Sequence, residues 1–238
     1  MRPHPQKRAV AGSAAVPFAG RVVVAFAGLA LVVFSLILVD VVVGGGLTGL
    51  DAVVAQAVHD KVVVGWPLHA LGELLSLPGS GWVLAPLLAA ACALLLAARR
   101  GRAALVVVAA PVVSWLMVRG TKIAVGRPLP EAVRAAYPDA LAFPSGHVVA
   151  SMFAAALLVG FVVPWLRGAR AGLTRQTLVV SLGVGVACAA GRILVEAHYV
   201  TDVVAGAALA LGQIALFAWL HDARLARWLA QDFAPSNP

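Results

Sequence analysis

Six long runs of apolar residues alternate with short polar segments along the chain. A helix needs about 20 mainly apolar residues to cross the hydrocarbon core of a bilayer. The runs predict six spans, at 22–43, 82–98, 103–118, 145–163, 177–196 and 202–220. Spans two and three are short, and only the basic turn 99–102 separates them, which indicates an antiparallel hairpin. The predicted fold class is therefore all-α, a polytopic membrane protein with six transmembrane helices.

The segment between spans one and two has a mixed pattern. Residues 50–64 intermix apolar and polar side chains, which is typical of an amphipathic helix lying on the membrane surface. Gly44–Gly46 and Pro78–Gly81 are rich in turn residues and predict flexible ends for this loop. The sequence thus predicts an amphipathic outer segment within one six-span domain, residues 22–220. A basic segment, 1–21, precedes the domain and a tail, 221–238, follows it.

The composition agrees with a membrane protein. Of the 238 residues, 62% are hydrophobic and only 12% are charged, whereas soluble domains are about half apolar and a quarter charged. The net charge of +8 could suggest nucleic-acid binding, but the basic residues punctuate apolar runs instead of clustering on a soluble face. Cys92 and Cys188 lie inside apolar runs, and no Cys/His spacing indicates a metal site. No nucleic-acid partner and no metal are expected.

The basic residues also predict the orientation of the six spans. Lys and Arg concentrate on the cytoplasmic side of membrane proteins. Six crossings place twelve of the eighteen Lys and Arg residues on one side: Arg2, Lys7, Arg8, Arg21, Arg99, Arg100, Arg102, Arg167, Arg170, Arg175, Arg224 and Arg227. Both termini are therefore expected in the cytoplasm, and the loop at 44–81 is expected outside.

Three polar clusters interrupt the apolar pattern at the outer ends of the spans. They are KIAVGRPLP at 122–130, PSGH at 144–147 and GRILVEAHYVTD at 191–202. The predicted topology places all three on the outer face at the same depth. Segments far apart in sequence are therefore expected to line one pocket.

The chemistry of these clusters suits an anion. Lys122, Arg127 and Arg192 supply positive charge, and guanidinium groups match phosphate geometry. Ser145 and Gly146 stand where span four begins, and a helix N-terminus presents free N–H groups to an anion. We expect these five residues to bind substrate.

Two histidines remain for chemistry. His198 and Asp202 are four residues apart, so one helical turn would place the carboxylate beside the imidazole. A carboxylate on one ring nitrogen fixes the tautomer and leaves the other free to attack. His147 could protonate a leaving oxygen as a general acid. The expected catalytic residues are His198, His147 and Asp202, with no cofactor.

Each cluster also has a plain structural interpretation. A Ser-Gly-His at a helix start is usually a cap, and Arg or Lys near a span end usually reaches for the interface. A His/Asp pair at this spacing is often only a hydrogen bond at a helix end. The functional interpretation depends on all three clusters occurring on one face with complementary roles. The role of Glu196 in the third cluster is left open.

These residues resemble the signature of the type 2 phosphatidic acid phosphatase family. That signature has Lys, six residues and Arg-Pro; then Pro-Ser-Gly-His; then Ser-Arg, five residues, His, three residues and Asp. The second motif is complete, and the third matches from Arg192 through His198 to Asp202. Gly191 stands where serine is usual, and Leu129 stands where the first motif has arginine.

The resemblance implies an integral membrane lipid phosphatase that works through a phosphohistidine at His198. Polyprenyl diphosphate, phosphatidic acid and phosphatidylglycerol phosphate are the expected substrates, and the first is favoured. Arg127 is expected to compensate for Leu129. Two alternatives stay open: a non-catalytic protein that binds or transports lipid phosphates, and a degenerate family member. The oligomeric state is not predicted.

Overall fold

The computed structural model of the protein describes residues 18–62 and 66–229, and the regular structure of these residues is helical apart from a β-bridge between Pro128 and Leu141. The α-helices are α1 (Phe18–Val43), α2 (Gly46–Val62), α3 (Trp66–Ser76), α4 (Gly81–Ala97), α5 (Gly101–Val125), α6 (Glu131–Arg134), α7 (Gly146–Leu157), α8 (Val163–Arg167), α9 (Arg175–Leu194), α10 (Val200–Leu220) and α11 (Ala226–Leu229). A 3₁₀ turn at Leu77–Gly79 precedes α4, and π-helical segments at Leu158–Val162 and His221–Leu225 join their flanking helices.

Six helical segments of the described chain are long and apolar enough to cross a membrane, which confirms the all-α six-span prediction. They are Val24–Val43, Pro67–Ala97, Gly101–Val125, Gly146–Arg167, Arg175–Leu194 and Val200–Leu220. Residues 1–17 of the predicted N-terminal segment, which include Arg2, Lys7 and Arg8, and residues 230–238 of the predicted tail lie outside the described residues.

The predicted boundaries of spans two and three were too narrow. The second candidate span begins at Pro67, because α3 is helical where the sequence predicted a loop. The third extends to Val125 instead of ending at 118. Lys122 lies in the last turn of that helix, and its Nζ donates hydrogen bonds to the main-chain carbonyls of Leu141 and Ala142. Because these bonds satisfy the ammonium group, the helix can continue past Lys122. The helix then ends at Gly126, whose φ of 66° is the left-handed conformation that glycine adopts readily.

Helix α7 and the π-helical segment after it lie at the centre of the bundle. Phe161 is fully buried, and its ring meets that of Phe217 of α10 edge to face at 4.7 Å between centroids. Phe153 contacts the same Phe217 ring at 6.0 Å. This packing joins α7 and the π-helical segment to α10.

Helices α3 and α9 cross at a pair of glycines. A Cβ built on Gly191 would lie 2.6 Å from the carbonyl oxygen of Gly72 and 2.7 Å from Oγ of Ser76. A Cβ built on Gly72 would lie 2.8 Å from Cβ of Leu194. Small residues let helix backbones approach closely in membrane proteins. Gly191, which replaces the serine of the family signature, is therefore required for this crossing.

The Pro78–Gly81 segment is a packed turn and not the flexible end predicted from its composition. Gly79 is buried, and a Cβ built on it would lie 2.4 Å from the carbonyl oxygen of His147 and 2.9 Å from Sγ of Cys188. Only a glycine permits this approach. The turn therefore packs closely against the first turn of α7 at the carbonyl group of His147.

Candidate active site

The three polar clusters meet at one end of the bundle. The amide of Ala142 donates to the carbonyl of Arg127 at 2.8 Å, which joins the first cluster to the second. The amide of Ser145 donates to the carbonyl of Asp202 at 2.9 Å, which joins the second to the third. Lys122 adds side-chain bonds to the loop before α7. The convergence expected from the topology is thus present in the structure.

Ser145 does not act as a helix cap. It occupies the N-cap position of α7 with φ −68° and ψ 109°, yet its side chain makes no capping hydrogen bond. The residue is fully buried, and Oγ has no hydrogen-bond partner among the described residues. Leaving a buried hydroxyl unpaired is costly. The plain interpretation of this residue is therefore not supported, and Oγ is available to a ligand together with the free N–H groups of the helix start.

Positive charge gathers around the two histidines. Lys122 and Arg192 both act electrostatically on His147 and on His198, which places the four side chains in one neighbourhood. Nε of Arg192 is buried and has no hydrogen-bond partner within the described chain. A buried guanidinium nitrogen without a partner is a strong donor for an anion. The two cationic side chains therefore concentrate positive charge near both imidazoles.

His198 lies beside the carboxylate of Asp202. Its Nδ1 is 3.4 Å from Oδ2 of Asp202, beyond ordinary hydrogen-bond geometry, so a small turn of the ring is needed to form the bond. Burial lowers the pKa of His198, and Asp202 opposes that shift only in part. The imidazole is therefore neutral at neutral pH. A neutral imidazole has a free lone pair, which nucleophilic attack requires.

The carboxylate of Asp202 is held by two further contacts. Its Oδ2 accepts from the amide of Tyr199 at 2.9 Å, and its Oδ1 accepts from Arg127 at 2.7 Å. The carboxylate is fully buried. A carboxylate fixed in this way presents one defined edge to His198.

Arg127 occupies a different place from the one expected for a phosphate ligand. One terminal nitrogen donates to Asp202, and the other donates to Oδ2 of Asp51 at 2.8 Å. The guanidinium also lies 4.2 Å from the centroid of the Tyr199 ring. Burial acts to lower the pKa of Arg127, but the two carboxylates outweigh it and raise the pKa above its usual value. This geometry argues against direct phosphate contact and against compensation for Leu129.

Asp51 is a site residue that the sequence did not reveal. It lies on α2, is 2% exposed, and accepts from the amide of Thr201 at 3.0 Å through Oδ1. Its Oδ2 accepts from the hydroxyl of Thr201 and from Arg127. An aspartate in an amphipathic helix has the same sequence pattern whether it faces water or a partner. No signal in the chain could have separated the two.

Helix α2 makes a second contact with the site. Nδ1 of His59 lies 2.8 Å from Oε1 of Glu196, whose φ of 54° is unusual for a residue other than glycine. The open question about Glu196 is thus answered in part, because it pairs with a histidine for which no role was expected. A cavity of about 400 Å³ lies between α2 and the loop before α10, and His198 and Glu196 help to line it.

The fold and site define a membrane-embedded helical protein with a cluster of basic and histidine side chains at one end of its bundle. The sequence model of the PAP2 superfamily matches residues 101–226, more than half of the chain. The chain belongs to the PAP2 superfamily, which supports phosphatase activity in general.

A solved structure shows the same fold. It is the crystal structure of a transmembrane PAP2-type phosphatidylglycerolphosphate phosphatase from Bacillus subtilis, which matches with a TM-score of 0.62 at 18% sequence identity. The match covers 80% of this chain and 95% of that chain. No curated protein sequence matches the chain significantly.

Proposed function

We propose that the protein hydrolyses a lipid phosphate or diphosphate through a phosphohistidine at His198. The observation that carries this proposal is a pair of buried polar atoms without a hydrogen-bond partner among the described residues, Oγ of Ser145 and Nε of Arg192. They occur with Lys122 in the same clusters as the two histidines, and His198 is backed by Asp202. Unpaired buried polar groups are rare in native proteins. Binding alone would not require a neutral imidazole backed by a buried carboxylate.

The residues divide the reaction as follows. Lys122, Ser145, Gly146 and Arg192 hold the phosphoryl oxygens and stabilise the charge that grows on them. A ring nitrogen of His198 attacks phosphorus as the bond to the leaving oxygen breaks, and His147 gives its proton to that oxygen. Water then attacks the phosphohistidine, returns a proton to His147 and releases phosphate. Asp202 holds His198 and stabilises the positive charge on its ring.

The substrate class follows from the surroundings of the site. The site lies at the ends of membrane-spanning helices, where a phosphate on a lipid anchor can enter from the bilayer. The B. subtilis protein of the same fold is described as a phosphatidylglycerolphosphate phosphatase. We therefore propose phosphatidylglycerol phosphate, phosphatidic acid and polyprenyl diphosphate as the candidates.

A substrate panel tests this function. The protein purified in detergent should release phosphate from at least one of the three lipids, and chelation with EDTA should leave the rate within about twofold, because fixed cations and helix N–H groups supply the electrostatic stabilisation. Absence of release from every lipid would favour a binding or transport protein, or a degenerate family member. Loss of activity on chelation that Mg²⁺ or Zn²⁺ restores would indicate a different chemistry.

We also propose that the site faces outside and that both termini are cytoplasmic. Ala140 is exposed in the loop before the span Gly146–Arg167, at the end of the bundle that carries the site. Ala169 is exposed in the loop after this span, at the other end of the bundle. In a variant without Cys92 and Cys188, Ala140→Cys should react with an impermeant thiol reagent in intact cells, whereas Ala169→Cys should react only after lysis. The opposite pattern would invert the topology.

Leu129 gives a prediction about the strength of catalysis. Arg127 is held by two carboxylates, and Arg134 donates from Nε and Nη2 to the carbonyl of Leu129 at 3.0 and 2.9 Å, so both neighbouring guanidinium groups are engaged. A hydrogen bond to a charged group is worth about 1.5–3 kcal/mol. Leu129→Arg should therefore raise kcat/KM by roughly tenfold or more.

The control for this change is Leu129→Met, which keeps the buried volume and should leave kcat/KM nearly unchanged. Both variants need a Tm close to that of the wild type, because Leu129 is only 7% exposed. An unchanged kcat/KM in a folded Leu129→Arg variant would show that the site needs no guanidinium at this position.

A further inference from the structure

Arg127 joins two carboxylates that come from distant parts of the chain. Asp51 lies on α2 near the N-terminal end of the described chain, and Asp202 lies on the first turn of α10. Each terminal nitrogen of the guanidinium reaches one of them, at 2.8 and 2.7 Å. The side chain of Arg127 is 11% exposed, and those of Asp51 and Asp202 are 2% and 0% exposed. The three groups form a buried row of alternating charge, which we name the carboxylate bridge.

The carboxylate bridge is held in place at Asp51, while His198 lies beside Asp202 at the other end. Asp51 accepts two hydrogen bonds from Thr201, one from the amide and one from the hydroxyl. The hydroxyl of Thr201 also accepts from Arg127 at 2.7 Å. A guanidinium group is planar and rigid, so holding one of its terminal nitrogens at one carboxylate also fixes the position of the second carboxylate, which bonds to the other nitrogen. Asp51 thereby determines where Arg127 meets Asp202.

The bridge occupies one oxygen of Asp202 and leaves the other facing His198. Oδ1 is taken by Arg127, while Oδ2 accepts from the amide of Tyr199 and faces Nδ1 of His198. Without the guanidinium, two buried carboxylates would repel each other, and Asp202 would lose the contact that fixes its Oδ1. A rotated Asp202 could not hold the imidazole or stabilise its positive charge.

We propose that Arg127 and Asp51 are positioning residues that act on His198 through Asp202, and that Arg127 is not a phosphate ligand. This inference rests on the proposed function, because it concerns the orientation of the nucleophile. It also gives α2 a part in catalysis. Asp51 lies outside residues 101–226, the part of the chain that the family model matches.

The test separates turnover from phosphate binding. Arg127→Lys keeps the charge but loses the fork, and Asp51→Asn keeps the shape but loses the charge. Each should lower kcat by about tenfold or more, in line with the usual cost of removing groups that orient an active residue. The inhibition constant of inorganic phosphate should stay within about twofold of the wild type, because the phosphate-binding residues are intact.

Two changes complete the comparison. Asp60→Asn is the control on the same helix, since Asp60 is exposed and bonds only to Gln56 among the contacts described; it should leave kcat unchanged. Thr201→Val serves where a charge change prevents folding. It removes one hydroxyl without altering volume or charge and should lower kcat by about threefold, again with an unchanged inhibition constant.

Two results would overturn the inference. A rise of tenfold or more in the inhibition constant of phosphate for Arg127→Lys would make Arg127 a phosphate ligand. Wild-type kcat in folded Asp51→Asn or Thr201→Val would show that the bridge does not act on the nucleophile. Wild-type protein and His198→Ala are assayed beside them, so an inactive wild type or an active His198→Ala would instead reject the proposed function.

Discussion

His198→Ala should abolish phosphate release while the protein keeps its fold. The substitution removes the atom that takes the phosphoryl group, and no other residue in the proposed mechanism serves as a nucleophile. Loss of a covalent nucleophile commonly costs several orders of magnitude, so we expect kcat to fall by at least about 10³-fold. The change should appear in phosphate release from the best lipid of the panel, measured at saturating substrate.

A second histidine supplies the control for this variant. His69 lies on α3 with its side chain 52% exposed, and its nearest charged partner is the exposed Glu73 at 3.8 Å. His69→Ala should therefore keep wild-type turnover and a wild-type Tm. Substantial turnover by His198→Ala would remove the phosphohistidine mechanism. Equal losses in both variants would point to a general effect on the fold.

Gly191→Ser should destabilise the protein, although it restores the residue that is usual in the family. The new Cβ would lie 2.6 Å from the carbonyl oxygen of Gly72, and this backbone cannot move without separating α3 from α9. Overpacking of a tight contact costs about 1–3 kcal/mol. For a chain of this size each kcal/mol lowers Tm by roughly 2–4 °C. Turnover should fall as well, because α9 carries Arg192.

Gly183 offers a matched position on the same helix. A Cβ built on Gly183 meets no atom within 4 Å, so Gly183→Ser should change Tm little. Thermal unfolding of the two variants in the same detergent makes the comparison. A Gly191→Ser protein as stable as the wild type and more active would mean that the glycine is a defect in the site and not a requirement of the helix crossing.

The number of spans and the convergence of the polar clusters could be predicted because both depend on strong signals. Apolar runs of sufficient length specify membrane helices, and the parity of six crossings places the clusters at 122–130, 144–147 and 191–202 on one face. The end of α5 and the existence of α3 could not be predicted. A lysine usually indicates the end of a span, and the sequence does not show that the carbonyls of Leu141 and Ala142 accept hydrogen bonds from the ammonium group of Lys122.

The details of the site depend on contacts between segments that are distant in sequence. From the sequence, Ser145 is expected to bind substrate, with a helix cap as the plain alternative, and only the structure shows that its hydroxyl makes no capping bond and has no partner among the described residues. Arg127 looked like a replacement for the missing arginine, because nothing in the first cluster shows the two carboxylates that hold it. Asp51 and His59 gave no signal at all. A helix with mixed polarity does not reveal which of its polar residues face the protein.

The proposed mechanism depends most directly on a covalent intermediate at His198. Substrate labelled in its phosphoryl group should be mixed with the enzyme and quenched in alkali within one turnover, and the protein should be digested and analysed by mass spectrometry. We expect a phosphorylated peptide that contains His198, is labile in acid and is absent from His198→Ala. Turnover without labelled protein, or a label that lies on Ser145 and survives acid, would contradict it.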